Sequence, residues 1–302
     1  MELNQFQRDM AEKLPQMELR FYEPLSKHTS FRIGGPAEIM AFPRNERELA
    51  ELLKVSRIMD IKPVILGAGT NVLAPDEGVS GLVVCLKDCL NGMERISDSA
   101  IRIMAGVTMS RGAVFAANQG LSGMEFAHGI PGTVGGGVYM NAGAYGGEIS
   151  QICREVTVMD GNGNIRSCSN EEMQFGYRHS TLEESGEIVI SAVFSLTKDS
   201  PEQVKARMKQ LQQKRSASQP LDVPSAGSAF KRPVGGYAAA LIEQAGLKGF
   251  RIGNAAISDK HAGFAVNLGG ATGKEMKELL QTVAQRVFDA SGIRLEPEIR
   301  IW

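Results

Sequence analysis

The longest segment of the chain without Asp, Glu, Lys or Arg runs from Phe126 to Gly147 and contains eight glycines in 22 residues. That length would suffice to span a bilayer at about 1.5 Å per residue. The glycines, together with Pro131, Asn141 and His128, make the segment a poor membrane helix. Main chain without Cβ atoms instead allows close approach of another group. The segment predicts either a surface on which a large flat or extended ligand lies against the main chain, or a closely packed crossover in the core.

Composition places the chain among ordinary globular proteins. Its 302 residues correspond to roughly two domains at about 150 residues each. Lys and Arg number 33 against 34 Asp and Glu, and a net charge of −1 lacks the broad positive surface of a nucleic-acid binder. Residues 1–14 mix charged with apolar residues, so they predict a short helix and no signal peptide. We therefore expect a cytoplasmic protein without membrane insertion.

Cysteine, histidine and the common short motifs predict no metal or nucleotide-loop site. The cysteines Cys85, Cys89, Cys153 and Cys168 form no CxxC pair, which favours buried reduced thiols. The four histidines lie far apart along the chain. The sequence contains no GxGxxG, no GxxxxGK[ST], no HExxH and no GxSxG.

Hydrophobic periodicity predicts an α+β fold. Helices are expected at 1–14, 45–56, 109–119, 201–216 and, after a capping box of Thr272 and Glu275, up to Gly292. Strands are expected at 63–66, 82–86, 101–105, 153–160, 165–168, 187–197 and 294–302, with a hairpin turn at 160–163 and a loop at 219–228. These elements do not alternate as regular βαβ units, so mixed sheets are favoured over a Rossmann fold.

A second glycine-rich loop follows the strand expected at 63–66. This loop, Gly67-Ala-Gly69-Thr70-Asn71, is called the Gly67 loop below. It exposes successive backbone N–H groups beside a hydroxyl and an amide, and a diphosphate-binding loop requires such donors. A tight turn is an equally good interpretation of this loop alone. Taken with the uncharged segment ending at Gly147, ligand binding becomes the favoured interpretation.

Two further segments combine charges with turn residues. Serines between prolines at 224–233 are typical of turns and caps, but Lys231 and Arg232 could also give a small active loop positive charge or hold a phosphate. At the C-terminus, Glu296, Glu298 and Arg300 would share one face of a strand, for which an exposed ion-paired edge is the usual explanation. The segment 177–180, Tyr-Arg-His-Ser, is uninformative by itself.

These motifs occur in one order that resembles the MurB family, the UDP-N-acetylenolpyruvoylglucosamine reductases of peptidoglycan precursor synthesis. The resemblance rests on Thr-Ser-Phe-Arg-Ile-Gly-Gly-Pro at 29–36, the loop at 67–71, and the segments 129–148, 177–180, 225–233 and 295–300. It covers about residues 22–302.

The resemblance implies a fold, a domain order and a chemistry. The fold would be a two-part FAD-binding region of the vanillyl-alcohol-oxidase (PCMH) type with mixed sheets, followed by a C-terminal α+β substrate-binding domain. The expected domains are an N-terminal helical extension at 1–21, an FAD-binding region at 22–198 divided near residue 80, and a substrate domain at 199–302. A monomer with non-covalent FAD would use NADPH to reduce a UDP-sugar enolpyruvyl ether.

The resemblance also assigns roles to residues of this chain. Arg178 and Glu298 would stabilise an enediolate, and Ser228 would donate a proton to carbon. The residues that would bind FAD are Gly67, Gly69, Thr70, Asn71, Gly132, Thr133, Gly135, Gly136 and Arg300. The residues that would bind substrate are Tyr177, Arg215 and Lys231.

The sequence departs from the family pattern in two places and leaves two rival functions open. Thr70 stands where many family members have serine, and a longer insertion with a tyrosine, present in one branch, is missing. A rival flavoprotein of the same broad fold would oxidise small alcohols with oxygen and tether its flavin to His or Cys. A nucleotide-binding module without catalysis is the alternative from another class, and Arg178, Ser228 and Glu298 together argue against it.

Overall fold

The computed structural model describes residues 3–87 and 89–302, and it mixes helices and strands without regular βαβ alternation. The α-helices are α1 Gln5–Lys13, α2 Glu46–Ile58, α3 Met109–Asn118, α4 Val134–Tyr139, α5 Ile149–Ile152, α6 Leu182–Ser185, α7 Pro201–Ser218, α8 Ala238–Gln244 and α9 Gly273–Ser291. The strands are β1 Glu18–Pro24, β2 Pro36–Phe42, β3 Val64–Leu66, β4 Val72–Leu73, β5 Val79–Cys85, β6 Met93–Arg95, β7 Ala100–Met104, β8 Leu121–Ser122, β9 Gly143–Ala144, β10 Gly147–Glu148, β11 Cys153–Met159, β12 Ile165–Ser169, β13 Ile188–Ser195, β14 Thr197–Lys198, β15 Ser225–Ser228, β16 Arg251–Ile252, β17 Ala255–Ile257, β18 Phe264–Asn267 and β19 Arg300–Ile301.

The sheets are mixed, as the sequence predicts. A five-stranded sheet has the order β12-β11-β13-β7-β6 and a four-stranded sheet the order β1-β2-β5-β3. A second four-stranded sheet has the order β15-β18-β17-β16, and its pairs are antiparallel. Parallel pairing occurs between β3 and β5 and between β19 and β4. The α+β class with mixed sheets is thereby confirmed.

The chain divides into two compact units, each built from several chain segments. Unit 1 comprises Met1–Phe21, Ile39–Ala68 and Gly81–Lys214. Unit 2 comprises Tyr22–Glu38, Gly69–Ser80 and Arg215–Trp302. The boundaries expected at 21, near 80 and at 198 separate domains defined by what they bind, FAD or substrate. This division of the chain stays a prediction.

Unit 1 encloses the larger apolar core. Fully buried side chains come from alternate positions along strands of the five-stranded sheet, for example Val156 and Val158 of β11 and Ile101 and Ile103 of β7. β-Branched residues pack well on a pleated sheet surface, which is why these segments form strands. The predicted hairpin is confirmed, because β11 and β12 pair antiparallel around a turn at Asp160.

Unit 2 packs α9 against its own smaller core. The stripe Met276, Leu279, Leu280, Val283 and Val287 is buried at helical spacing. The predicted capping box of Thr272 and Glu275 is present, and the helix ends at Gly292 with φ 72°. Such a left-handed C-cap is where glycine is favoured.

Two predictions near the site are wrong in extent. The expected strand 294–302 is a strand only at Arg300–Ile301, because Pro297 has no N–H to donate and Glu298 donates to the carbonyl of Ala229 instead. Glu296, Glu298 and Arg300 therefore do not lie on one continuous strand. The loop expected at 219–228 ends in β15, whose small residues carry no β-branched signal.

The four cysteines are buried and none of them forms a disulfide bond, as expected. None of the helices in the described chain is both long enough and apolar enough to cross a membrane.

Candidate active site

In unit 1 the first glycine of the Gly67 loop contacts the uncharged glycine-rich segment. A Cβ atom at Gly67 would lie 2.8 Å from Oγ1 of Thr133, closer than real Cβ contacts allow. Gly67 follows β3 directly, so the end of this strand places Gly67 beside the start of α4. Glycine is therefore required here to bring the two loops together.

The start of α4 uses most of its donors within the protein. Thr133 is its buried N-cap, and its hydroxyl accepts from the N–H of Gly136 at 3.3 Å. The N–H of Gly135 donates to the carbonyl of Ala105 at 2.9 Å. Gly132 has φ 125°, a conformation that other residues rarely adopt. Gly135 packs closely against Ala105, whereas Gly136 is exposed.

The rest of the Gly67 loop belongs to unit 2. Gly69 is buried with φ 62°, and a Cβ atom there would collide with the carbonyl oxygen of His28. Ser30 donates its N–H to the carbonyl of Gly69 at 3.0 Å and its hydroxyl to the carbonyl of Ser225 at 2.6 Å. Ser30 thus joins the loop of Gly69, half-buried Thr70 and Asn71 to the strand that leads to Ser228.

Ser228 is exposed at the end of β15 because that strand contains a bulge. Three residue steps from Ser225 to Ser228 oppose two steps on β18, from Val266 to Phe264. The additional residue is accommodated by Gly227 with φ 76°. Bulges of this kind redirect a side chain and are frequent beside active sites.

Glu298 lies on the segment bonded directly next to Ser228. Its N–H donates to the carbonyl of Ala229 at 3.0 Å, while the N–H of Ala229 donates to Gly263 at 2.8 Å. Asn71 donates its side-chain amide to the carbonyl of Glu298 at 3.1 Å. The half-buried Glu298 is therefore held between the Ser228 strand and the Asn71 loop.

Arg300 begins β19, which pairs in parallel with β4. The N–H of Arg300 donates to the carbonyl of Asn71 at 2.9 Å, so Arg300 lies directly beside the end of the Gly67 loop. Unit 2 therefore brings Asn71, Ser228, Glu298 and Arg300 into one set of backbone-bonded segments.

The two basic residues predicted to bind substrate occupy different places in unit 2. Lys231 pairs with Glu296, with Nζ and Oε1 2.6 Å apart, and its N–H donates to the carbonyl of Glu296 at 2.8 Å. Arg215 lies in the last turn of α7.

His261 packs against the strand that opposes Ser228. Its Nδ1 accepts from the N–H of Gly263 at 3.1 Å, and its ring meets Phe264 edge to face with centroids 5.1 Å apart. Burial lowers the pKa of His261 from its usual 6.5. The neutral ring that burial favours can keep accepting this bond.

In unit 1 Arg178 sits at the tip of a tight turn. Gly176 and His179 exchange backbone hydrogen bonds at 3.0 and 3.3 Å, and Arg178 has φ 57°. Its Nη2 donates to the carbonyl of Gly143 at 3.1 Å. Its guanidinium also lies over the ring of the exposed Tyr177, 5.0 Å from the centroid.

Three polar residues that the sequence reasoning missed join the predicted site segments. They are Ser30 in unit 2 and the buried Asn141 and Ser180 in unit 1. Ser180 donates its hydroxyl to the carbonyl of Tyr139 at 2.7 Å, and Asn141 donates to the carbonyl of Gly176 at 2.8 Å. Their only sequence signal is position, because each lies inside a motif of the resemblance. No group of three or more His, Cys, Asp or Glu side chains that could hold a metal lies in the described ranges.

Comparisons with known proteins cover nearly the whole chain. Residues 37–169 match the family model "FAD binding domain", and residues 219–302 match "UDP-N-acetylenolpyruvoylglucosamine reductase, C-terminal domain". The UDP-N-acetylenolpyruvoylglucosamine reductase of Caldanaerobacter subterraneus subsp. tengcongensis is 45% identical over 292 residues, which are 97% of this chain and 96% of that protein. The protein of that name from Streptococcus pneumoniae (strain JJA) is 43% identical over 292 residues, with the same coverage of 97% and 96%.

A solved structure has the same fold. The crystal structure of UDP-N-acetylenolpyruvylglucosamine reductase (MurB) from Thermus caldophilus matches with a TM-score of 0.78 at 34% identity. The match covers 95% of this chain and 99% of that one.

The matched domains and the mixed α+β architecture define a flavin-dependent oxidoreductase with a recognisable FAD-binding domain. The chain belongs to the UDP-N-acetylenolpyruvoylglucosamine reductase family. The family resemblance inferred from the motifs is confirmed.

Proposed function

We propose that this protein reduces the enolpyruvyl ether of UDP-N-acetylglucosamine to UDP-N-acetylmuramate, with NADPH as the electron donor and FAD as the bound cofactor. The proposal rests on family membership and on the arrangement of Ser228 and Glu298. It includes a cytoplasmic location and a monomer, as expected from the sequence.

The residues present fit FAD. Neither the segment 64–75 nor the segment 126–147 carries a carboxylate that would repel a diphosphate. In unit 2, the hydroxyl of Thr70 and the amide of Asn71 supply neutral polar groups of the kind that bind a dinucleotide. When bound, FAD takes hydride from NADPH and supplies it to the alkene.

Arg178 would bind the substrate carboxylate as negative charge develops on it. A guanidinium stays charged at any physiological pH and presents its donors in a fixed plane. Hydride arriving at the terminal alkene carbon moves electrons onto the carboxylate, giving an enediolate. A fixed cation stabilises that charge more in the transition state than in the ground state.

Glu298 would be the second group that stabilises the enediolate. Only its protonated form can donate a hydrogen bond, because an ionised carboxylate accepts only. An ionised Glu298 would also repel the enediolate.

Ser228 would donate the proton that completes the reaction at the neighbouring carbon. A serine hydroxyl is a weak acid, so a cation such as Lys231, three residues further on, would assist it. The proton returns to Ser228 from solvent, so one hydride and one proton are added to the alkene in each turnover.

The structural observation that carries the proposal is the position of Ser228 next to Glu298. Ser228 is exposed on a bulged strand, and the N–H of Glu298 donates at 3.0 Å to the carbonyl of Ala229, the residue after Ser228. A proton donor and a hydrogen-bond donor to the same intermediate must lie close together, and backbone bonding between adjoining segments keeps Ser228 and Glu298 close. Unit 2 supplies that arrangement by itself.

The test separates the two half-reactions with Ser228→Ala. Reduction of the flavin by NADPH needs no proton for a substrate carbon, so its rate should stay near that of the wild type. Reoxidation by the enolpyruvyl substrate should slow about 10²–10⁴-fold, which is typical for the loss of one positioned acid. Anaerobic stopped-flow absorbance at the oxidised flavin band resolves both phases.

Two controls make the outcome decisive. Ser225→Ala, on the same strand before the bulge, should leave both phases unchanged. Ser228→Cys should recover part of the second rate, since a thiol is a stronger acid of similar size. Equal slowing of both phases in Ser228→Ala would show that the serine has a structural role and would refute its assignment.

A further inference from the structure

Asn141 lies between the uncharged glycine-rich segment and the turn that carries Arg178. It is 1% exposed, and all its side-chain bonds stay within unit 1. Its Nδ2 donates to the carbonyl of Gly176 at 2.8 Å and to Oε1 of Glu148 at 3.3 Å. Its Oδ1 accepts from the N–H of Ser150 at 2.9 Å. The amide thus uses both its donor and its acceptor atoms.

The carbonyl that Asn141 holds is the one on which the arginine turn closes. Gly176 accepts the N–H of His179 at 3.3 Å with the same oxygen. Between Gly176 and His179, Arg178 has φ 57°, a left-handed conformation that is strained for a residue with a Cβ atom. A turn that carries this strain needs contacts from outside to keep it in place.

Two of the contacts that hold Arg178 and its turn come from one short segment. Asn141 fixes the backbone of the turn, and the carbonyl of Gly143, two residues later, accepts from Nη2 of Arg178 at 3.1 Å. The segment 141–143 therefore sets the position of the main chain and of the guanidinium together.

We propose that Asn141 is a positioning residue for Arg178, acting through its bond to Gly176 to hold the guanidinium where the substrate carboxylate binds. This inference rests on the proposed function, since it concerns the residue assigned to the enediolate. Displacing a catalytic group by about 1 Å can cost about 10²-fold in rate. The loss should therefore appear in the step that uses Arg178.

Asn141→Gly is the first test. Asn141 has φ 41°, which glycine adopts freely, so the variant removes the amide without straining the backbone. We expect reoxidation of the reduced flavin by substrate to slow about 10- to 100-fold. Flavin reduction by NADPH should remain within about twofold of wild type.

Asn170→Ala is the matched control. Asn170 is another side-chain amide of unit 1, half-buried where Asn141 is buried, and it donates to the carbonyls of Ser150 and Cys153 at 2.9 and 2.7 Å. It bonds the same part of the chain without touching the arginine turn. Its removal should lower stability but leave both half-reactions within about twofold.

A double variant distinguishes this inference from the proposed function. If Asn141 acts through Arg178, adding Asn141→Gly to Arg178→Ala should slow reoxidation no further. A full additional loss in the double variant would overturn the inference alone. A normal reoxidation rate in Arg178→Ala by itself would instead refute the role proposed for Arg178.

Asn141→Asp gives a second readout if the glycine variant folds poorly. Its carboxylate cannot donate to Gly176, but its protonated form can. Like-charge repulsion from Glu148, 3.3 Å from the native amide, favours protonation. The deficit in reoxidation relative to wild type should therefore shrink as the pH falls from 8 towards 5. A deficit that stays constant over this range would contradict the inference.

Discussion

The side-chain amide of Asn71 donates to the backbone carbonyl of Glu298, with Nδ2 and O 3.1 Å apart. The N–H of Arg300 returns a bond to the carbonyl of Asn71 at 2.9 Å. A loop predicted to bind flavin and a segment predicted to carry a catalytic carboxyl therefore support each other within unit 2. A change at Asn71 should affect the C-terminal segment as well as the loop.

The first prediction compares two amides of unit 2 that make different numbers of bonds. Asn71→Ala removes the bond to Glu298 and should lower the free energy of unfolding by about 1 kcal/mol. Asn267 is buried and bonds Phe31, Gly269 and Ala271. Asn267→Ala removes the side-chain partner of all three backbone groups, of which those of Phe31 and Ala271 are buried, and should cost about 3 kcal/mol or more. Urea titration measures both losses, and an inverted order would contradict this interpretation.

Local signals in the sequence were sufficient for the longer helices and several strands, but not for most of the short elements. The periodicity of α9, its capping residue Thr272 and its terminal Gly292 lie within one stretch of chain, and so does the hairpin turn at Asp160. Each depends on backbone conformation and on neighbours close in sequence. Such elements can be predicted without knowledge of distant contacts.

The segments around the site depend on partners far away in sequence. Residues 294–302 look like one strand, yet Glu298 donates to Ala229 and Arg300 to Asn71, so the segment changes partner within two residues. Ser30 and Asn141 similarly act on carbonyls 195 and 35 residues away. No pattern within a local window encodes these bonds, so the site residues came from the family resemblance.

A second prediction identifies the catalytic carboxyl. Glu298→Gln should retain much more activity than Glu298→Ala, because a glutamine amide can still donate to the enediolate. We expect kcat to fall about 10²–10³-fold in the alanine variant, as for the loss of one oxyanion donor. Steady-state NADPH oxidation measures this difference. Equal activity of the two variants would show that hydrogen-bond donation by Glu298 is not required.

A third prediction concerns stability in acid. The backbone N–H of Asn164, followed by its side-chain amide and then by the N–H and side-chain amide of Asn162, lowers the pKa of Asp160 from 3.8 to about 2. A carboxyl with a lowered folded-state pKa stabilises the protein above pH 4, and the contribution is lost as the pH falls towards 2. The urea midpoint of the wild type should therefore exceed that of Asp160→Asn by a constant amount between pH 5 and 7. The difference should narrow below about pH 4, and a constant difference down to pH 3 would contradict the assignment.

A fourth prediction concerns the thiols. Burial raises the pKa of Cys89 and of Cys153 to about 12, and it also raises the pKa of Cys168. Since the thiolate is the reactive form, none of the four cysteines should react with Ellman's reagent within minutes at pH 8 in the native protein. All four should react in urea. Ala217→Cys, at an exposed position of α7, is the positive control and should add one fast thiol. A fast thiol in the wild type would mean that a cysteine is accessible.

The last prediction uses the ion pair between Lys231 and Glu296, whose Nζ and Oε1 are 2.6 Å apart. If Lys231 binds the substrate diphosphate, Glu296 competes with the substrate for the same ammonium group. The side chain of Glu296 is 69% exposed, so the pair is worth at most about 1 kcal/mol, or roughly fivefold in binding. Glu296→Gln should therefore lower the KM for the enolpyruvyl substrate by up to about fivefold.

Lys231→Ala should have the opposite effect on the same constant and raise this KM. The decrease in KM caused by Glu296→Gln should become smaller as salt screens the exposed charges. The KM of both variants is therefore measured at 0.05 and 0.5 M salt. Glu243→Gln is the matched control, because Glu243 forms a comparable exposed pair with Lys248 at 2.9 Å within the same unit. If Glu296→Gln instead raised KM as Lys231→Ala does, Glu296 would orient Lys231 for the substrate rather than compete with it.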